Sequence, residues 1–305
     1  MNLRQLEIFS AVMRYRTTIA AAEALSMSQS AVSNAIKHAE SQLGFLLFER
    51  ISNRLVPTEE ARILLEEAEP LFRHQQAINQ RAADLRTGRI GRVRIAATAE
   101  LSESILPTVM AKFLTRHPGV HLSLDTRPLG TVLDAVESGL ADIGFGMEAH
   151  QRHGLVLKPL ATLKTVVVCQ RNSALAALPF VSPHDLGSHK LIAPQLSNSI
   201  GVVVAEAFAK AEAPYSPAVE VRFLNVAARL VQENWGAAIL DELTVSSGRY
   251  DDLAIKDLKP HMRLTLYALT PKHRNPSRLA SIFIDLLQTE AHDMIAELQT
   301  RMEKV

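Results

Sequence analysis

The chain has 305 residues, room for two domains at about 150 residues each and for a sizeable hydrophobic core. Hydrophobic residues make up 47% and charged residues 21%, with 13 glycines and 14 prolines, which excludes disorder, collagen-like repeats and coiled-coil rods. The formal net charge of +1 offers no global field to nucleic acid or an anionic membrane, so any DNA contact has to be local.

Met1 to Glu7 carries Arg4 and Glu7 and opens an amphipathic pattern where a secretory signal would place a continuous apolar run. The longest apolar stretches, such as Ala237-Ala238-Ile239-Leu240, fall far short of the roughly 20 residues of a membrane span. A soluble cytoplasmic protein that does not enter membranes is expected. The single cysteine, Cys169, lies in the apolar run Val166-Val167-Val168-Cys169, which excludes an internal disulfide and a cysteine metal cluster and fits a reducing compartment.

Leu3, Leu6, Phe9, Val12 and Met13 recur at helical spacing, and Thr17-Thr18 stands where a cap belongs before Ile19 to Leu25. Ser26-Met27-Ser28 makes a brief connection to a third helix, Gln29 to about Gln42, with Ser28 as its cap and Gly44 as its C′ residue. Ala20, Ala21 and Ala24 would keep the crossing tight. The second and third helices thus have the form of a helix-turn-helix. Phe45 to Phe48 adds core, and Asn53 to Thr58 reads as a turn and short hairpin, a small wing.

From Glu59 onward no glycine appears until Gly88, and Ala61, Leu64, Ala68, Leu71, Gln75, Ile78, Ala82 and Leu85 step alternately by three and four. That is the seam of a paired helix, which predicts a homodimer; a helix lying on its own domain would show a wider apolar stripe. Pro70 predicts a kink near Glu66. After the polar break Thr87-Gly88-Arg89-Ile90-Gly91, candidate strands Val93–Ala96, Leu122–Leu124, Ile143–Phe145, Val166–Cys169, Leu191–Ala193, Val219–Val221, Ala237–Leu240 and Leu264–Leu269 follow. Candidate helices Ser104–Arg116, Thr131–Ser138, Gly201–Ala211, Val226–Asn234 and Ser277–Arg301 lie between them, the grammar of α/β domains with largely parallel sheets.

Gln29, Ser30, Ser33, Asn34 and Lys37 project from the start of the third helix, where Gln and Asn can pair bidentately with adenine and Ser can serve base edges. Thr18 begins the preceding helix. Arg50 and Arg54 flank the wing at phosphate-contact positions. A solvated polar face and ordinary surface arginines are the plain alternatives. Within 1–58 the net charge is +2, modest for one copy and doubled in a dimer reading two half-sites of double-stranded DNA.

The run from Ala20 to Gly44, closed by Leu47-Phe48-Glu49-Arg50, strongly resembles the LysR-type transcriptional regulators. Gly139 to Gly144 and Trp235-Gly236-Ala237 resemble landmarks of that family's effector domain. The resemblance implies an N-terminal all-α winged helix-turn-helix (1–58), a linker and dimerisation helix (59–88) and an α/β, periplasmic-binding-protein-like effector-binding domain (89–305). Subdomain I of the latter would take about 91–164 and 270–305, and subdomain II about 165–269. It also implies a homotetramer built as a dimer of dimers, promoter DNA and RNA polymerase as partners, and transcription regulation by a small-molecule effector. Thr58-Glu59-Glu60-Ala61 departs from the family's common Thr-Glu-Ala-Gly, and Asn53 replaces a frequent arginine. Both features, with the Met1-Asn2-Leu3-Arg4-Gln5 opening, resemble the branch controlling catabolism of opines and basic amino acids.

By that resemblance the effector cleft would use Thr98, Ala99, Glu100, Leu101 and Ser102, then Pro128 and Leu129, and Gly144 to Met147 with Gly146 among them. Ser197, Asn198, Ser199, Phe223, Leu224 and Asn225 would face them from the second subdomain. Helix N-termini at such a cleft favour a carboxylate or amino-acid-like effector, although serine and asparagine there also serve as plain N-caps. Glu100 would suit a cationic group on the ligand, or equally a salt bridge to a lysine. No Gly-x-Ser-x-Gly elbow and no Walker or Rossmann glycine loop occurs, and His150 and His153 near Glu148 read as solvated loop residues. An enzyme, a metal and a cofactor are therefore not expected. The rival reading is a solute-binding protein of the periplasmic type.

Overall fold

The computed structural model of the chain describes residues 1–51, 54–86, 91–197 and 199–303, at positions 50, 51, 54, 80, 81, 84–86, 199 and 303 by backbone alone. The chain folds as two compact units, residues 1–78 and 79–305. The sequence-predicted turn at Asn53 and most of the break at 87–91 lie outside the described residues.

In the first unit, Asn2 opens helix α1 (Leu3–Tyr15) with a reciprocal pair of bonds: its side chain accepts from the Gln5 amide at 2.9 Å, and the Gln5 side chain accepts from the Asn2 amide at 2.7 Å. Thr17 caps α2 (Thr18–Ala24), Ser28 caps α3 (Gln29–Leu43), and Gly44 closes α3 at φ 82°, a left-handed position that glycine adopts without strain. Strands β1 (Phe48–Ile51) and β2 (Arg54–Pro57) pair antiparallel as the wing. The Glu40 carboxylate accepts from the amides of Leu47 and Phe48 at 2.8 and 3.2 Å, tying the wing's entry to α3. Phe9, Val12, Ala21, Val32, Ile36, Ala39 and Leu47 form the core. At the crossing it is Ala21 and Ala22 that are buried, whereas Ala24 is exposed, because α2 turns its other face inward.

Helix α4 (Glu59–Arg86) continues through Pro70. Thr58 starts it, its hydroxyl accepting from the Ala61 amide and donating to the Leu46 carbonyl. Ala61 and Leu64 join the core of the first unit, so the beginning of the heptad seam is used internally. Farther along, Leu71 and Ile78 are 49% and 57% exposed.

The second unit is mixed, not largely parallel. β3 (Arg92–Ala97), α5 (Ala99–Glu103), α6 (Leu106–Arg116), β4 (His121–Thr126), α7 (Leu129–Glu137) and β5 (Ile143–Met147) build the first subdomain, with β3 parallel to both β4 and β5. β6 (Leu155–Gln170) is 16 residues long. After it come a 3₁₀ turn (Ala174–Ala177), α8 (Pro183–Leu186), β7 (Leu191–Pro194), α9 (Ser199–Lys210), β8 (Val219–Val221), α10 (Leu224–Gln232), β9 (Ala237–Asp241), α11 (Glu242–Ser246) and β10 (Leu253–Asp257). β11 (Arg263–Pro271) returns to the first sheet, and α12 (Arg278–Glu303) ends the chain's described part.

The antiparallel elements are the crossovers. The first part of β6 pairs with β11, which also pairs with β5, and the last part of β6 pairs with β9 and β10 in the second subdomain. A strand that leaves one sheet and enters another, and one that comes back, must run against each other. Leu266 lies opposite Ala161 and Tyr267 opposite Pro159, a bulge that leaves Leu160 extra and gives Pro159 a place where no ladder donor is needed. Glu242, buried, accepts from the Lys164 amide at 2.7 Å where β6 changes sheets. Cys169 is buried in β6, as its apolar neighbours predict.

Candidate functional site

The first unit presents a polar face on α3. Gln29, Ser30, Asn34 and Lys37 are exposed and Ser33 is half-buried. The Gln29 side-chain amide donates to the Thr18 hydroxyl at 3.4 Å, and the Ser28 and Ser30 hydroxyls lie 3.1 Å apart, so the first turns of α2 and α3 meet at this face. Arg50 and Arg54 belong to β1 and β2, and their side chains lie outside the described residues.

The second unit carries a cleft of about 450 Å³ between its subdomains. Thr98, Ala99 and Glu100 reach it from the start of α5, Pro128, Leu129 and Leu133 from α7, and Met147 from the end of β5. Ser197, Ile200 and Phe223 face them from the second subdomain. Thr98, Pro128 and Phe223 occupy N-cap positions without a side-chain cap bond; at α5 the Glu100 carboxylate accepts from its own helix-start amide, whereas the starts of α7 and α10 carry no such acidic residue in their first turns. Arg127, Arg152, Arg222 and His150 also line the cleft and were not among the sequence candidates. Arg127 and Arg222 immediately precede Pro128 and Phe223, a signal that adjacency could have supplied. Arg127 pairs with Asp125, and Arg152 with Asp134 at 2.6 Å.

Several expected positions are placed elsewhere. Leu101 is wholly buried in the core, because the face of α5 opposite the cleft packs inward. Ser102 is buried beside it with no hydrogen-bond partner for its hydroxyl among the described residues, and it does not line the cleft. Gly146 lies beneath the wall: a Cβ there would come within 2.5 Å of Leu129 Cδ1. Asn225 turns away, its side-chain amide donating to Glu103 at 2.6 Å. Asn198 lies outside the described residues, as does the side chain of Ser199. His153 does not join His150 at the cleft, and no cluster able to hold a metal occurs among the described residues.

Glu100 is half-buried in the cleft and has no cationic partner among the described residues, which removes the lysine salt bridge as its explanation. Burial raises the pKa of its carboxyl, with the fully buried Asp241 adding to the effect against opposing hydrogen bonds. A charge held out of water without an opposite charge beside it favours a proton or a ligand cation.

The family model for the bacterial regulatory helix-turn-helix protein, lysR family, matches residues 3–62, and that for the LysR substrate binding domain matches residues 86–292. The chain belongs to the LysR family. The octopine catabolism/uptake operon regulatory protein OccR of Rhizobium meliloti is 35% identical over 79% of this chain and 80% of its own. Regulatory protein NocR of Agrobacterium fabrum is 29% identical over 92% and 93%. The LysR-family regulator CbnR, solved with its target DNA, superposes with a TM-score of 0.68 at 21% identity, over 95% of this chain and 100% of that one. This LysR-family chain is therefore a transcriptional regulator with a DNA-binding helix-turn-helix and an effector-binding domain. No helix among its described residues is long and apolar enough to cross a membrane.

Proposed function

We propose that this LysR-family regulator binds promoter DNA through the α3 face and the wing arginines, and that its cleft receives an amino-acid-like effector carrying both carboxylate and cationic groups. The observation that supports the effector class is Glu100, a half-buried carboxylate without a protein cation, in a cleft that Arg127 and Arg222 also line. Helix starts and arginines suit carboxylates, and Glu100 suits an ammonium or guanidinium. Octopine, which OccR's name carries, unites these groups in one molecule. The regulator acts in the cytoplasm, residues 59–88 pair two copies, two pairs assemble on DNA, and the complex meets RNA polymerase. It needs no cofactor and catalyses no reaction.

The test is a gel-shift titration on the intergenic DNA beside the protein's own gene, at fixed salt because phosphate contacts set much of the affinity. Specific binding is expected, and Ser33→Ala/Asn34→Ala should abolish it; equal binding by that variant would overturn the assignment of α3. Octopine and L-arginine should alter the shift, whereas pyruvate, a carboxylate with no cation, should not. Glu100→Gln should remove the response and leave DNA binding intact.

A further inference from the structure

Asn225 was expected to touch effector, yet it spans the two subdomains. Its side-chain amide donates to Glu103 of α5 at 2.6 Å, and the Arg249 guanidinium lies 4.0 Å from the same carboxylate oxygen. Other ties hold the second subdomain to the crossing strand β6 and to α12. Glu242 accepts from the Lys164 amide of β6 at 2.7 Å and from the Gln299 side chain of α12 at 3.1 Å, and Arg301 of α12 pairs with Asp251 at 2.9 Å. Bonds to backbone at a crossover can persist while the lobes rotate about it. A side-chain bond from α5 to α10 cannot survive rotation of one helix away from the other.

Glu103 and Asn225 are each also a near neighbour of a cleft residue. Glu103 follows Glu100 by three positions on α5, one turn along the same helix face. Asn225 follows Phe223 by two positions at the start of α10. Displacing Glu100 or Phe223 thus displaces one half of the clasp.

We infer that Glu103 is a positioning residue: with Asn225 and Arg249 it clasps α5 to the second subdomain and sets how far the empty cleft stands open. The proposal concerns the cleft assigned above to effector, but its consequence exists without any effector, so the two ideas fail separately. An effector that binds the clasped and unclasped arrangements unequally shifts their populations through this contact.

The experiment uses the full chain. Cys169 is the only cysteine and is buried, so cysteines introduced at exposed Thr131 on α7 and Ala209 on α9 can carry spin labels selectively. Labelled chain is diluted into unlabelled chain, and the distance between labels is measured by pulsed electron resonance without effector. The parent should give one narrow distance. Asn225→Asp, isosteric but setting two carboxylates face to face, should add a longer-distance population, as should Glu103→Ala. Glu103→Gln keeps an acceptor for Asn225 and should restore the narrow distance. Glu103→Gln/Asn225→Asp exchanges donor and acceptor and should restore it too. Parent-like distances in Asn225→Asp, or an opening that neither glutamine variant closes, would overturn the proposal.

Discussion

Glu100 and Asp142 are both carboxylates in the second unit, and their surroundings push them in opposite directions. Because burial raises the Glu100 pKa, its carboxyl holds a proton to higher pH than a free glutamate does, and a cationic effector competes with that proton. Affinity for L-arginine should therefore fall as pH is lowered from 8 to 5, and Glu100→Gln should bind weakly with a flat profile; isothermal titration checks both. Burial also opposes the charge on Asp142, but the hydrogen bonds and charge of Arg94, with Arg274 added, outweigh it and lower the pKa. Arg94 meets the two carboxylate oxygens at 3.0 and 3.2 Å, and Arg274 adds a bond at 3.1 Å. A depressed folded pKa gives stability that is present above the unfolded value of about 3.9 and is lost as pH falls through the folded one. Asp142→Asn should cost about 3 kcal/mol at pH 7, since it strands Arg94, itself 7% exposed, and the deficit should shrink toward pH 3. Thermal melts across that range measure it.

The helices of the first unit were legible because their signals are local. Asn2, Thr17 and Ser28 each accept from a backbone amide three residues on, and Gly44 takes the left-handed position. Ser28→Ala should destabilise the first unit by about 1 kcal/mol and weaken DNA binding together, because the lost bond frays the turn that presents Gln29 and Ser30. Loss of binding with an unchanged melting temperature would instead point to a direct DNA contact by Ser28. Of the crossing strands, β11 was read at Leu264–Leu269 without its antiparallel direction, and β6 only at its end. Residues 155–165 of β6 alternate buried and exposed unevenly around Pro159 and the bulge, so period and propensity both fail there, and only the apolar end at Val166–Cys169 reads as a strand. β10 (Leu253-Ala254-Ile255-Lys256-Asp257) escaped because its burial follows no period of two, and β6 supplies the pairing that makes it a strand. The same limit applies to the cleft: Thr98, Glu100, Pro128, Leu129, Ser197 and Phe223 follow from strand ends and helix starts. Which face of α5 turns inward, burying Leu101 and Ser102, depends on packing from distant segments.

At the scale of the whole molecule, one chain offers a DNA-reading surface with a net charge of only +2 over residues 1–58. Phosphate attraction from a single copy is correspondingly weak, and the pairing proposed above would add to it, the second head binding at the effective concentration the link provides. α4 has the residues for that link. Leu71 and Ile78 are seven positions apart, on one face of the helix, and expose large apolar side chains that a soluble surface helix has no reason to present. The part of the seam already buried, at Ala61 and Leu64, serves the first unit's own core, so substitution there would confuse folding with pairing. Leu71→Lys/Ile78→Lys separates the two. Light scattering should show a loss of mass at micromolar concentration with the melting transition of the first unit unchanged, and DNA affinity should fall on the order of a hundredfold or more as linkage of the two half-sites is lost. An unchanged mass would place the pairing surface elsewhere on the chain, and an unchanged affinity in a monomeric variant would mean that one head with its wing suffices.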